Sequence, residues 1–252
     1  MMKAFWIALS TYSIIPSPQF DWEEENMKWS ICFFPAVGLF CAVALALWYW
    51  FCISFNIGSL LFAAVAACVG LLISGGIHMD GFMDTVDALA SHQSRERKLE
   101  ILKDSSCGAF AALYCAVYML ISFGLFTELY SRELIWGFCP VYVLSRALSG
   151  LGALNIESAR RKGMLGSYTQ NTKRLKGSIA LLVWAVLAVS AMLLLDFAVL
   201  GAVVISLLWL PVYYRIVMKN FGGVTGDTAG FFLQLCELLS CFGLLLGGLL
   251  WR

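Results

Sequence analysis

The sequence predicts an all-α fold, a polytopic integral membrane helix bundle of about seven transmembrane helices preceded by a short interfacial helix at the N-terminus. Three observations carry that expectation. The 252 residues are 61% hydrophobic and only 13% charged, with a mean hydropathy of +0.82, whereas soluble domains carry about 25% charged residues. Seven apolar runs approach the roughly 20 residues needed to cross a hydrocarbon core. The basic residues also fall into alternate loops, as the enrichment of Lys and Arg on the cytoplasmic side of membrane proteins requires.

Taken in order, the chain opens with MMKAFWIALSTYSIIPSP, whose apolar run is broken by Ser10, Thr11, Tyr12 and Ser13. With no small-x-small cleavage site, it reads as a retained interfacial helix rather than a signal peptide. The acidic stretch Asp21-Trp22-Glu23-Glu24-Glu25 reads as a solvated interface segment. The seven spans are approximately Ile31–Ile53, Gly58–Gly75, Cys107–Thr127, Leu134–Leu154, Ser178–Leu195, Phe197–Met218 and Ala229–Trp251. The second and fifth are short, and the turn at Asp196 makes the fifth and sixth nearly one hairpin. With no internal repeat or low-complexity tract, residues 1–252 form a single membrane domain.

Charge placement sets an orientation. One set of segments holds Lys3, Lys28, Arg95, Arg97, Lys98, Lys103, Arg160, Arg161, Lys162, Lys173, Arg174, Lys176 and Lys219; the opposite set holds Arg132 and Arg252. Seven spans make these sets alternate, so the N-terminus and the three long polar loops face the cytoplasm. The net charge of +1 gives no sign of nucleic acid, and with no long basic patch interleaved with aromatics no nucleic-acid partner is expected. The nine cysteines lie in or beside apolar runs, never as CxxC or Cys/His pairs, and read as small apolar filler rather than as a zinc or disulfide framework.

The longest polar interruption, Ser74 to Phe110, is patterned. Asp80, Asp84 and Asp87 recur at i, i+4 and i+7, within an arc of about 60° on one helix face. Phe82, Met83, Val86 and Leu89 occupy the other side, giving an amphipathic segment at the membrane surface. Three carboxylates on one face repel one another unless a cation sits between them. Mg²⁺ suits the set, because it takes one or two carboxylates together with waters and substrate phosphates. Gly75-Gly76 allows a tight turn or close approach to a phosphate. Arg95-Glu96-Arg97-Lys98-Leu99-Glu100 reads as a mixed-charge surface helix. Lys103 and Asp104 follow it, placed to meet phosphate and metal, and Ser105 or Ser106 caps the next helix. His78 and His92 are the two histidines, and His78 is close enough in sequence to Asp80 to serve as ligand, base or donor.

A second constellation runs from Lys219 through Gly222, Gly223, Thr225 and Asp227 to Gly230, Gln234 and Glu237. On one helix Asp227, Gln234 and Glu237 fall within about 80°, with Gly230 leaving a gap among them. Acids inside a span face a cavity or a partner, and Arg146 inside the fourth span needs the same. The basic loop Asn155–Gly177 reads as a diphosphate or nucleotide clamp, with Arg160 favoured because guanidinium pairs bidentately with phosphate.

The segments GGIHMDGFMDTVDAL, LEILKDSSCGAF, PVYVLSRAL, SARRKGM and GGVTGDTAGFFLQLCE, in this order, resemble the cobalamin 5′-phosphate synthase (adenosylcobinamide-GDP ribazoletransferase) family over essentially the whole chain. The resemblance implies a polytopic bacterial inner-membrane enzyme that joins adenosylcobinamide-GDP to α-ribazole or its 5′-phosphate, releases GMP and requires Mg²⁺. Carried onto these positions, it implies Mg²⁺ held by Asp80, Asp84 and Asp87, with Asp227 completing a second metal position. The catalytic set becomes His78, Asp84, Lys103 and Asp104, with His78 or Asp104 as base. The substrate-binding set becomes Gly75, Gly76, Arg146, Arg160, Gly222, Gly223, Thr225 and Glu237. This chain has Ser106 where the family usually has Arg, and Leu233-Gln234 where it commonly has Asn-Glu.

Two other classes compete. A Mg²⁺-dependent CDP-alcohol or prenyl transferase would need two Asp-rich repeats on separate helices, and this chain has one cluster plus Asp227. An ion-coupled transporter would place its ionisable groups near the midplane of an inverted repeat, whereas these acids gather at the boundary. Apolar surface between spans is available to membrane lipids, substrate or a second copy in a homo-oligomer.

Overall fold

The computed structural model describes residues 2–18, 24–104, 106–159 and 174–251. Among them the secondary structure is helical apart from turns and one isolated parallel bridge between Ser158 and Val224. The helices are α1 (Met2–Tyr12), α2 (Glu24–Ser30), α3 (Phe34–Ser54), α4 (Ser59–Ser74), α5 (Ile77–Ala90), α6 (Arg95–Ile101) and α7 (Ala109–Ser131). They continue with α8 (Ile135–Phe138), α9 (Val141–Asn155), α10 (Arg174–Leu195), α11 (Val199–Asn220) and α12 (Gly226–Trp251).

Six helical segments are long and apolar enough to cross a membrane: Asn26–Ser54, Ala109–Ser131, Ile135–Asn155, Arg174–Leu195, Val199–Asn220 and Gly226–Trp251. The expected second span is α4, whose 16 residues reach only about 24 Å. It turns by 96° into α5. Counting this bent pair gives the seven spans anticipated. The chain is thus a multi-pass membrane helix bundle, and large side chains such as Leu113, Leu120, Val186 and Leu208 remain exposed on its outer faces.

The bend has a local cause. Gly76 N–H donates to the Leu71 carbonyl at 3.0 Å and Gly75 N–H to that of Leu72 at 3.4 Å, the double closure that ends a helix with a left-handed residue. Gly75 and Gly76 have φ of +64° and +86°, a region that side chains disfavour. A Cβ on Gly75 would also overlap Ile14, whose N–H donates to the Ile73 carbonyl at 3.0 Å. The pair of glycines therefore serves the turn and the docking of the N-terminal segment.

The centre of the bundle is α9, of which nearly every residue is buried. Pro140 separates it from α8, because proline has no N–H to continue the ladder. Gly38 on α3 lies directly on the Tyr142 carbonyl, and Gly150 lets Leu181 of α10 approach. The last two spans pack equally closely: a Cβ on Gly201 would overlap the Gly243 carbonyl, and one on Gly247 the Ala198 carbonyl. The Ser206 and Ser240 hydroxyls hydrogen-bond across the same interface at 2.6 Å, a small-and-polar seam suited to helices that gain no hydrophobic driving force in lipid.

Gly243→Val is therefore expected to force α11 and α12 apart. Overpacking costs about 1–3 kcal/mol, which should lower the melting temperature in detergent by several degrees. Gly124→Val, where an added Cβ meets nothing within 4 Å, should leave it nearly unchanged.

Candidate active site

Helix α5 carries the acidic face at one end of the bundle. Asp80 is exposed, and Asp84 and Asp87 are half-buried. On the opposite side Phe82 and Val86 are buried and line an open apolar pocket of about 550 Å³ together with Phe110, Tyr114, Phe231 and Leu235. The amphipathic reading of this segment holds. With α4 as the spanning element, the 96° bend lays α5 across the bundle end.

Two glycines bring α12 onto α5. A Cβ on Gly81 would come within 2.8 Å of the Asp227 carbonyl oxygen, and one on Gly230 within 2.9 Å of the His78 carbonyl oxygen. The gap anticipated at Gly230 is thus filled by the backbone of α5. This crossing carries Asp227, in the first turn of α12, to the acidic face. Asp87 lies against Gly108 at the start of α7, where a Cβ would overlap its carboxylate. Two helix N-termini, whose free N–H groups favour negative charge, therefore meet the carboxylates. Thr225 and Thr228 fix the start of α12: Thr225 N–H donates to Thr228 Oγ1 at 2.8 Å, and Thr228 N–H to Thr225 Oγ1 at 3.2 Å. This reciprocal pair follows the logic of a capping box. Thr225, expected as a substrate contact, is buried in this capping role.

The acids act on one another. Burial first, and then the charges of Asp80, Asp227, Asp87 and Asp104, push the Asp84 carboxyl up to about 6. Asp104 itself is held below the usual carboxylate range by hydrogen bonds from Ser106, whose N–H donates to Asp104 Oδ1 at 2.9 Å. Ser106 thus binds Asp104 in place of the helix-capping role expected for it. Among the described residues no three Asp, Glu, His or Cys groups converge closely enough to enclose a metal ion. The carboxylates form an open, oxygen-rich patch. That donor chemistry fits Mg²⁺ held by one or two carboxylates and completed by water and phosphate oxygens, with Asp80, Asp84, Asp87 and Asp227 as the available holders.

Other expected site residues lie elsewhere. His78 is buried on the side of α5 turned from Asp84, with ring centroids 5.4 Å from Phe34 and 6.3 Å from Tyr12. It projects into the bundle, so it is not placed to act as base at the acidic face. Arg146 is fully buried and pairs with Glu237, Nη1 to Oε1 at 2.8 Å. Ser145 Oγ donates to the same carboxylate oxygen at 2.9 Å, and Arg146 Nη1 also donates to the Tyr142 carbonyl at 2.9 Å. The need of each buried charge for a partner is met by the other. Arg146 and Glu237, expected as substrate contacts, form an internal ion pair in the structure, and both are buried. Gln234 likewise turns inward, accepting from Tyr118 Oη at 2.7 Å.

The Gly222–Gly223 turn is shaped by protein, not left open. Gly222, with φ of +73°, packs against the Arg95 guanidinium, and Gly223 against the Glu157 carbonyl. Val224 N–H donates to that carbonyl at 2.8 Å, and Ala159 N–H to the Val224 carbonyl at 3.0 Å. Arg160 and Ser105 lie outside the described residues. Lys103 is exposed just after α6. Helix α6, expected as a surface helix, also makes two contacts with the end of α11. Lys98 Nζ donates to Asn220 Oδ1 at 2.7 Å, and Arg95 Nη2 to the Met218 carbonyl at 3.1 Å. The one signal available was that Arg95 has Leu99, not a carboxylate, four residues on.

The model of the family described as cobalamin-5-phosphate synthase matches residues 4–245. The chain belongs to that family. A relative from Lachnoclostridium phytofermentans, named adenosylcobinamide-GDP ribazoletransferase, is 39% identical over 95% of this chain and 92% of its own. Relatives with the same name from Clostridium perfringens strain 13 and Fusobacterium nucleatum are 32% and 30% identical, covering 98% and 96% of both chains in each pair. No solved structure matches the chain. The family match spans both acidic segments and every helix that builds the site, so membership extends to the whole bundle.

Asp84 yields a stability test. Its pKa is raised on folding, so the protein is unburdened below about pH 4 and loses stability as pH rises through about 6. A rise from 3.8 to about 6 corresponds to about 3 kcal/mol in a dry site; solvent screening of this half-exposed carboxyl reduces it to about 1 kcal/mol. Asp84→Asn is expected to melt a few degrees higher than the parent at pH 7.5 in chelator, and at the same temperature at pH 4. For the buried pair, Glu237→Ala should cost about 3–5 kcal/mol by stranding Arg146. Arg146→Met with Glu237→Leu should recover most of that loss in thermal unfolding.

Proposed function

We propose that the protein is an adenosylcobinamide-GDP ribazoletransferase, joining adenosylcobinamide-GDP to α-ribazole or α-ribazole 5′-phosphate with release of GMP. Support comes from family membership over residues 4–245, and the observation that carries the site is the gathering of Asp80, Asp84, Asp87, Asp104 and Asp227 around one bundle end. A carboxylate patch of this density calls for cations and for a ligand that brings its own oxygen donors. A metal-complexed diphosphate supplies both.

In the reaction a ribose hydroxyl oxygen of ribazole forms a bond to the phosphorus attached to cobinamide. The bond from that phosphorus to the GMP oxygen breaks, the hydroxyl proton is lost, and GMP leaves as the anion. Mg²⁺ bound at Asp80, Asp84 and Asp87, with Asp227 at a second position, would neutralise charge on the diphosphate. The protein's own part is largely positioning. The α5–α12 crossing holds the acids in place, and Lys103 contacts a phosphate oxygen. Asp104, kept ionised by Ser106, is the group available to take the hydroxyl proton.

The same reading puts the protein in the bacterial inner membrane with the acidic end in the cytoplasm. The bias of Lys and Arg supports this, since Arg95, Arg97, Lys98, Lys103 and Lys219 flank the site while Arg132 lies in a connection on the other side. Membranes containing the protein, supplied with Mg²⁺, α-ribazole and adenosylcobinamide-GDP, are expected to release GMP in step with consumption of the corrinoid. The Asp84→Asn protein should release at least a hundredfold less, as about 3 kcal/mol of lost transition-state stabilisation implies. Release equal in the two proteins would sink the assignment, and release independent of the corrinoid would point to a different membrane transferase.

A further inference from the structure

We infer that Arg95 is a diphosphate-binding residue of this site, held in position by the Gly222 turn; the inference rests on the proposed transferase reading. Helix α6 is seated beside the acidic face by an apolar cluster of Ala88, Leu102 and Phe221. Ala88 follows Asp87 on α5, so the cluster fixes α6 against the helix that carries the carboxylates. Ser94 starts the helix, its side chain accepting from Arg97 N–H at 3.4 Å, and Arg95 follows as the first helical residue.

Arg95 is exposed, and its guanidinium is anchored on backbone rather than on a carboxylate. Arg97 pairs with Glu100 at 2.7 Å, and Lys98 is buried with its ammonium on Asn220. Among the described residues Lys103 forms no salt bridge and its ammonium makes no hydrogen bond. Arg95 makes no salt bridge among the described residues either, yet its guanidinium donates to the Met218 carbonyl. It lies on Gly222, where a Cβ would come within 2.6 Å of Nη1. Glycine at 222 thus gives the guanidinium its seat, and φ of +73° keeps other residues from that position. One of five N–H donors is spent on Met218, and the rest of the fork remains for an anion. The Gly222 turn leads within about five residues to Asp227, and a guanidinium seated on that turn is the counterpart that a metal-bound diphosphate would use, with cations facing the carboxylates and phosphate oxygens facing Arg95.

The test uses full-length protein in detergent, with Mg²⁺ and GDP as the binding probe, and steady-state kinetics with both substrates. Arg95→Ala is expected to weaken Mg²⁺-dependent GDP binding and raise KM for adenosylcobinamide-GDP by about tenfold, as loss of a charge-assisted hydrogen bond implies. The KM for α-ribazole should stay unchanged. Arg95→Lys should recover part of the affinity, because charge returns without the fork. A lower melting temperature with GDP affinity and corrinoid KM unchanged would overturn the inference, leaving Arg95 as a clamp for the turn. Equal increases in both KM values would overturn it as well. If the parent protein neither binds GDP nor releases GMP, the transferase reading itself falls and takes this inference with it. If the parent does both while Arg95→Ala matches it, only the role of Arg95 falls.

Discussion

The buried ion pair between Arg146 and Glu237 is the constraint to which the rest of the bundle conforms. Removing two charges from water costs several kcal/mol each, repaid only when geometry is good and the remaining polar atoms find partners. Here α9 supplies Arg146, Ser145 and the Tyr142 carbonyl, and α12 supplies Glu237. Cys41 of α3 approaches the other guanidinium nitrogen at 3.5 Å, and Phe34 and Tyr142 place their rings 6.0 and 5.7 Å from the cation. Three helices are thereby held to one register. Fixing α12 along its axis fixes where its N-terminus, and so Asp227, emerges.

That register matters because α5 crosses α12 at two glycines. Gly81 and Gly230 let backbone meet backbone, and an ordinary side chain at either would push the helices apart. A slide of α12 by one turn, about 5.4 Å, would move Asp227 by that distance relative to the acidic face of α5. The interior charge pair and the glycine crossing thus act on the same variable. Stability deep in the bundle is converted into the position of an acid at its edge, while the site itself remains strained by like charges that raise the Asp84 pKa. Such local cost at a site, offset by a rigid scaffold, is typical where the charges await a ligand.

The polar segments at this end are tied to each other more than to the spans. Arg95 and Lys98 reach the end of α11, and residues 157–159 pair with Val224. Glycines that read from sequence as phosphate cradles serve first as places where other protein groups come close. The lesson is physical: Gly permits close approach without naming the approaching group. Gly75 meets Ile14, Gly223 meets the Glu157 carbonyl, and Gly222 meets Arg95. Only the last places a cationic side chain where an anion can use it.

How much was legible follows from the range of each force. Spans and the amphipathic α5 were readable because apolar length and a 3.6-residue period are properties of contiguous residues. The grouping of Asp80, Asp84 and Asp87 was readable for the same reason, and so was the need of Arg146 and Glu237 for partners, since the cost of a buried charge does not depend on where the partner lies. That they would satisfy each other was not readable, as 91 residues separate them. Nor was the direction of His78, two residues from Asp80 and yet on the opposite side of the helix, or the seat of Arg95 on a turn 127 residues away in sequence. The sequence by itself determined which segments enter the membrane and which carry unavoidable charge. The tertiary structure decided which charges meet, because pairing at a distance depends on the angles at Gly75-Gly76 and Pro140 and on helix crossings that no local pattern encodes.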